Sequence, residues 1–274
     1  MPRGSLWPIE LSSLFILAFF LAVMARRGLL SAPEGRRGFQ KTLLDIAAIA
    51  LFSWVAEVLN IHLFGFYQYD APWLLFADVM PVLVALIWPF VILSARELAW
   101  HLELRGPRGP SAWAVFAIVT YDAALVEPIA VKAGLWSWNE PGIFGVPPIG
   151  ILGWGLYALS ISWIYDRAPR AMAAAPILVQ GMLVLAWWGL FRWTLRAPVP
   201  PAILPALAAL VGIALAIALI RARRRAPLSV MAPRMAAALL FFALLFLRGN
   251  DLIWLVLYGV SFALPYLAAT RFRG

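Results

Sequence analysis

The chain alternates between long apolar runs and short polar connections. Most of the runs approach the roughly 20 residues that a helix needs to cross a bilayer core of about 30 Å. None of them shows the alternating pattern of an outer-membrane strand, so we predict an all-α, polytopic membrane helix bundle in one integral domain, residues 1–274. The runs lie at approximately 9–25, 42–64, 74–94, 111–133, 147–165, 174–195, 201–220, 234–247 and 252–270.

The number of spans depends on the last two runs. The eighth run is short, and the polar segment Arg248-Gly-Asn-Asp251 separates it from the ninth. The pattern therefore fits nine transmembrane helices, or eight with one re-entrant segment. The first run is expected to stay as a span rather than be cleaved as a signal peptide, because Arg26 and Arg27 follow it directly and the positive charge does not precede it.

The composition supports a membrane protein and excludes several kinds of site. Charged residues make up 13% of the chain, against about 25% in an average soluble domain. The absence of cysteine excludes disulfides and thiolate metal sites, and two histidines are too few for a histidine-rich metal centre. We therefore expect no metal.

The positive charges indicate an orientation in the membrane. The formal net charge is +9, but 17 of the 22 lysines and arginines fall in connections on one side of the predicted spans. The positive-inside rule then places the N-terminus outside and the C-terminus in the cytoplasm, in a bacterial or archaeal cytoplasmic membrane. This distribution explains the basic charge without nucleic acid, which we do not expect as a partner.

An internal echo singles out residues 42–165 as the functional core. Glu57 and Glu127 each lie within an apolar run and are followed by a glycine, two aromatic residues one position apart, and a Val/Met/Pro cluster that opens the next run. Both units run in the same sense, as in a parallel repeat of spans 2–3 and 4–5. Such repeats commonly form a binding site at their shared interface. The compared segments are Gly65-Phe-Tyr-Gln-Tyr69-Asp-Ala-Pro72 and Gly134-Leu-Trp-Ser-Trp138-Asn-Glu-Pro141.

Four acidic residues fall inside the predicted spans, where ionised groups are costly. They are Glu57, Asp78, Asp122 and Glu127, and only Lys132 among the basic residues is expected at a matching depth. Some of these acids should therefore be protonated at neutral pH and able to donate a proton. The alternative is that they are hydrogen-bonding groups that hold helices together. Asp122 and Glu127, about 140° apart on a straight helix, share a face only if Pro128 bends the span.

The paired aromatic residues are candidates for substrate binding. Tyr67, Tyr69, Trp136 and Trp138 could form an interfacial belt, or they could line a pocket for an apolar, conjugated substrate and stabilise a carbocation through their ring faces.

These residues together resemble the integral-membrane carotenoid 1,2-hydratase family, which includes the bisanhydrobacterioruberin hydratases. The resemblance covers about residues 45–165, and Glu57…Gly65-x-Tyr67-x-Tyr69 is similar to the family's first motif. The second motif is Tyr121-Asp122…Glu127-Pro128…Gly134-x-Trp136-x-Trp138…Phe144-Gly-Val-Pro147…Gly153-Trp154. It adds Tyr121 to the substrate-binding candidates, together with Asn139 beside the tryptophan pair.

The resemblance implies addition of water to the terminal double bond of a linear carotenoid, without a cofactor. In that chemistry we expect Asp122 or Glu127 to be the acid, with Glu57 assisting and Asp78 positioning water. The expected partners are a lipophilic isoprenoid substrate, membrane lipids and other carotenoid enzymes. Three alternatives stay open: a carotenoid cyclase that starts with the same protonation, a small-molecule or proton-coupled transporter, and a purely structural membrane subunit.

Overall fold

The computed structural model describes residues 6–31, 35–69, 73–140, 142–191, 200–248 and 253–271. Most of this chain is helical, which confirms the predicted all-α bundle. The long helices are α1 Trp7–Ser31, α2 Gly35–Phe64, α3 Val82–His101, α4 Ala112–Lys132, α5 Pro148–Arg167, α6 Ala175–Ala186, α7 Ile203–Arg221 and α8 Leu228–Arg248. Two short helices follow, α9 Ile253–Ser261 and α10 Ala263–Ala269.

Eight helical segments in the described part of the chain are long and apolar enough to cross a membrane, so the chain is a multi-pass membrane protein. The sixth of them continues α6 through a π-helical turn, Trp187–Phe191. The ninth apolar run forms the shorter pair α9 and α10, which meet at Phe262. The polar break at 249–252, which separated the last two runs, lies outside the described residues.

The third run was placed too early. Residues 74–81 form a small antiparallel hairpin of β2 Phe76–Ala77 and β3 Met80–Pro81, and α3 begins only at Val82. Asp78 occupies the turn with φ of 58°, a left-handed conformation that aspartate tolerates better than most residues. Pro81, in an extended conformation, then precedes the first helical turn.

The two echoing segments pair with each other. β1 Tyr67–Tyr69 and β6 Trp136–Trp138 form an antiparallel two-stranded sheet in which Gln68 lies opposite Ser137. The glycines before the two strands, Gly65 and Gly134, have φ of 59° and 72° and end α2 and α4 in the left-handed conformation. The repeated sequence therefore produces the same local structure twice; the prolines that close the compared segments, Pro72 and Pro141, lie outside the described residues.

The remaining short strands lie near the helix ends: β4 Arg105–Gly106 pairs with β5 Gly109–Pro110, and β7 Ala226–Pro227 pairs with β8 Thr270–Arg271. Helices α3 and α5 are the most buried of the spans, whereas α7 exposes most of its surface. Helix α4 packs closely along α5, where Gly155 leaves room for Thr120 and Phe116. The buried centre thus lies among α2 to α5, beneath the β1–β6 sheet.

Candidate functional site

A cavity of about 110 Å³ lies beneath the β1–β6 sheet, among α1 to α6 and α8. Its wall is mostly apolar and aromatic, and both intramembrane glutamates of the repeat line it. Six of the residues proposed from the sequence meet here: Glu57, Tyr67, Tyr69, Glu127, Trp136 and Trp138. The aromatic pairs therefore line an internal cavity beneath the sheet.

Glu127 is the most enclosed acid of the cavity, with 2% of its surface exposed. Three indole N–H groups donate to its carboxylate. Trp136 and Trp138 donate to Oε2 at 2.8 and 2.9 Å, and Trp154 donates to Oε1 at 2.7 Å. An indole can only donate, so all three partners favour an acceptor-only carboxylate. Neighbouring Pro128 lies inside α4 without ending the helix.

Glu57 makes the corresponding contacts in the other unit, but fewer of them. Trp88 donates to its Oε1 at 3.1 Å, and the Tyr69 hydroxyl donates to its Oε2 at the longer distance of 3.4 Å. Tyr67, the counterpart of Trp136, packs against the Trp138 ring at 4.7 Å and makes no hydrogen bond to Glu57 in the described structure.

Tyr69 is held as a donor by its surroundings. Its side chain is partly buried, and removal of the phenol from water raises the pKa of the Tyr69 hydroxyl well above its ordinary value, as do the nearby Glu57 and Glu127 carboxylates. The hydroxyl therefore keeps its proton and donates it as a hydrogen bond toward Glu57.

The two tryptophans that complete the pair of carboxylate sites were not among the proposed site residues, although Trp154 occurs in the family pattern. Trp88 lies seven residues after Pro81, and Trp154 lies seven residues after Pro147. Their rings meet with centroids 5.0 Å apart. This equal spacing from the proline that opens each helix is the signal that could have identified both.

Asp122 lies in a different environment from the two glutamates. It lines a second cavity of about 280 Å³, bounded mainly by α8, α3, α4 and α10. Its carboxylate forms an ion pair with Arg234 and accepts a hydrogen bond from Tyr266, while Arg234 also donates to Ser94 at 2.7 Å.

The ion pair corrects an expectation about charge. Only Lys132 was expected at the depth of the intramembrane acids, and the arginines were interpreted as orienting charges in the connections between spans. The structure instead buries Arg234 inside α8, 9% exposed, because it neutralises Asp122 there. Lys132 lies exposed at the end of α4.

The two cavities adjoin one another. They share lining residues from α1, α3, α5 and α8, among them Ile87, Trp154 and Phe241. The shared wall is apolar apart from Ser13 and the Trp154 indole, so the combined space is suited to an extended, largely apolar ligand.

Three proposed residues lie away from both cavities. Asp78 is exposed in its turn and contacts His62 Nε2 at 2.8 Å, so it does not lie inside the third span as expected. Tyr121 packs against Phe262 at 4.7 Å on another side of α4. Asn139 is exposed and fastens the sheet through Nδ2, which donates to the Gly65 carbonyl at 2.5 Å. Hydropathy alone reveals neither the hairpin that contains Asp78 nor the rotation of α4 that directs Tyr121 away from the cavities.

The described residues contain no group of three histidine, cysteine, aspartate or glutamate side chains arranged as a metal site. The carboxylates of the cavity and their aromatic donors can move protons and stabilise positive charge.

Comparison with known proteins places this site in a family. Neither a curated protein nor a solved structure matches the chain. A family model described as carotenoid biosynthesis protein, however, matches residues 12–219, which include both glutamates of the cavity and the β1–β6 sheet. Because this match covers most of the sequence, the chain belongs to the carotenoid biosynthesis protein family.

Proposed function

We propose that this protein adds water to the terminal carbon–carbon double bond of a linear carotenoid and forms a tertiary alcohol without a cofactor. The observation that carries the proposal is a pair of carboxylates, Glu57 and Glu127, in one aromatic cavity with unequal hydrogen bonding. Family membership supports the substrate class. The resemblance of the repeated motifs to carotenoid hydratases supports the reaction.

Glu127 acts as the fixed anion of the site. Each of its oxygens accepts at least one short indole hydrogen bond. Charge-assisted hydrogen bonds of this length are stronger than neutral ones, and a protonated carboxyl would have to direct its O–H at groups that only donate. A fixed negative charge beside the reacting carbon stabilises a carbocation in a dry site.

Glu57 acts as the acid. Two carboxylates in one dry cavity are costly to ionise together, so one of them carries the proton, and Glu57 has the fewer and longer hydrogen bonds. Its proton adds to the less substituted alkene carbon, and the π electron pair forms the new C–H bond. A water oxygen then supplies the electron pair of the C–O bond, and the proton that it loses returns to the Glu57 carboxylate.

The aromatic walls and the second cavity serve the rest of the substrate. The Trp88 and Trp154 rings face the same space as the two glutamates and can stabilise a tertiary cation. The adjoining apolar cavity suits the conjugated chain. Asp122 is already paired with Arg234, so we assign it a structural role and transfer the acid role proposed from the sequence to Glu57.

The same proposal includes the orientation from the positive-inside rule. The β1–β6 sheet then lies at the outer face, with the N-terminus outside and the C-terminus in the cytoplasm. Other enzymes of carotenoid synthesis are the expected protein partners, because the substrate stays in the bilayer between reactions.

Expression in a host that accumulates an acyclic carotenoid tests the function. Pigments are extracted and analysed by mass spectrometry, and a Glu57→Gln/Glu127→Gln double variant is the matched inactive control. We expect wild type, and not the control, to yield a carotenoid that is heavier by one water. An isomer of unchanged mass would instead indicate a cyclase, and an unchanged pigment profile would contradict a role in carotenoid conversion.

A further inference from the structure

Two buried amide oxygens in the glutamate cavity have no hydrogen-bond partner in the described structure. They are Oδ1 of Asn60 and Oε1 of Gln180. Both side chains line the cavity that contains Glu57 and Glu127. A buried acceptor without a donor is unfavourable, so such atoms usually mark the place of a water molecule or ligand group.

The two amides belong to one small region beside Glu57. Asn60 follows Glu57 by three residues on α2, so the two side chains lie on the same face of the helix. Gln180 comes from α6 and donates through Nε2 to the Ala56 carbonyl at 2.9 Å, on the preceding turn of α2. Because a carbonyl can only accept, this bond fixes which end of the Gln180 amide is the nitrogen and leaves Oε1 for another donor.

The missing partner must supply hydrogen-bond donors. The end of a linear carotenoid that carries a terminal alkene is a hydrocarbon and has none. Water has two O–H groups, which match the two acceptor oxygens, and it is small enough to share the cavity with the end of a substrate.

We propose that Asn60 and Gln180 bind the water molecule that reacts with the carbocation. This inference rests on the proposed hydration reaction and deepens it. With both O–H groups donated to amide oxygens, the lone pairs of the water point away from the amides and toward the reacting carbon. Once the C–O bond has formed, one proton of the resulting oxonium passes to the Glu57 carboxylate, one turn away, and restores its acid form.

The inference separates protonation from water capture. Without its two acceptors the water is no longer held, and the cation loses a proton or is captured by an internal alkene. The variants Asn60→Leu and Gln180→Met remove one acceptor each with little change in volume, and Gln180→Met also removes the hydrogen bond from Nε2 to the Ala56 carbonyl. Gln68→Met is the matched control, because Gln68 is exposed on β1 and lines neither cavity.

The test uses membranes with the full-length protein and an added acyclic carotenoid in deuterium oxide. Deuterium in recovered carotenoid reports protonation by Glu57, and the fraction of hydroxylated product reports water capture. We expect each variant to lower the ratio of hydroxylated to deuterated non-hydroxylated product by about tenfold, the effect of one lost hydrogen bond. Deuterium incorporation should stay close to wild type, and Gln68→Met should match wild type in both readouts.

Two results would overturn the water site. One is an unchanged product ratio in both variants. The other is a parallel fall of deuterium incorporation and hydration, which indicates a general structural defect. A wild-type protein that neither incorporates deuterium nor hydrates the carotenoid would instead refute the proposed function, and the water site with it.

Discussion

Replacing Glu127 by glutamine tests the assignment of the fixed anion. The carboxylate accepts from Trp154 on one oxygen and from Trp136 and Trp138 on the other, at 2.7 to 2.9 Å. A carboxamide has one oxygen and one NH₂ group, so at least one indole N–H must face another donor. A buried donor left without an acceptor costs about 1–3 kcal/mol, and we expect Glu127→Gln to lower the free energy of unfolding by this amount.

The Glu57→Gln variant is the matched control, since it makes the same chemical change in the echoing unit. Its oxygen can keep the Trp88 hydrogen bond, and its NH₂ group can donate to the Tyr69 hydroxyl, which both donates and accepts. We therefore expect a loss of less than about 1 kcal/mol in stability. Conversion should nevertheless fall by about 10²–10⁴-fold, because the general acid is gone.

The two variants are compared by thermal unfolding of detergent-solubilised protein and by carotenoid product formed in membranes. Glu127→Gln should lose both stability and conversion, the latter by about 10²–10³-fold for a lost electrostatic stabiliser. Glu57→Gln should lose conversion alone. Equal destabilisation of the two variants, or full conversion by Glu127→Gln, would show that the three indole donors do not define an essential anion.

Two further predictions concern the second cavity and the packing of the site. Asp122→Leu leaves Arg234 buried without its counter-ion, and it should lower the free energy of unfolding by about 3–5 kcal/mol in thermal or chemical unfolding. The double variant Asp122→Leu/Arg234→Met should recover most of this loss, because it removes the unpaired charge. No recovery would contradict the ion-pair assignment. Gly150→Ala places a Cβ 2.5 Å from the Trp138 ring and should reduce carotenoid conversion about tenfold or more by displacing that indole. The control Gly153→Ala, whose Cβ has its nearest contact at 3.5 Å, should convert carotenoid at close to the wild-type rate. Equal conversion by the two variants would contradict a role for the position of the Trp138 indole.

The helices were predictable because hydropathy and length decide them directly. The exception is the start of α3. Residues 74–81 are as apolar as a membrane span, but they contain Asp78 at positive φ and end at Pro81, and they form a hairpin. A hydropathy pattern records how apolar a segment is and not where its backbone turns. The run was therefore extended across a turn, and Asp78 was placed inside the membrane span.

The candidate site was predictable only as far as the repeat reached. Glu57, Glu127 and the aromatic pairs were found because equal spacings carry structural information along the chain. The Asp122–Arg234 pair joins positions 112 residues apart and depends on the rotation and depth of two helices, which no local pattern encodes. Arg234 in isolation is indistinguishable from an orienting charge next to a loop.

The departures from symmetry between the two units are more informative than the symmetry. Hydration needs a proton on one side of the alkene and a stable negative charge on the other, and two identical carboxylate sites could not supply this difference. The unit of Glu127 has the extra indole donor Trp136 where the other unit has Tyr67. The unit of Glu57 has Asn60, with its unsatisfied amide oxygen, where the other has the apolar Ala130. The donors that stabilise an anion thus belong to one unit, and the unsatisfied acceptor belongs to the other. The proposed water addition uses this difference, because it needs an acid, a fixed anion and a bound water.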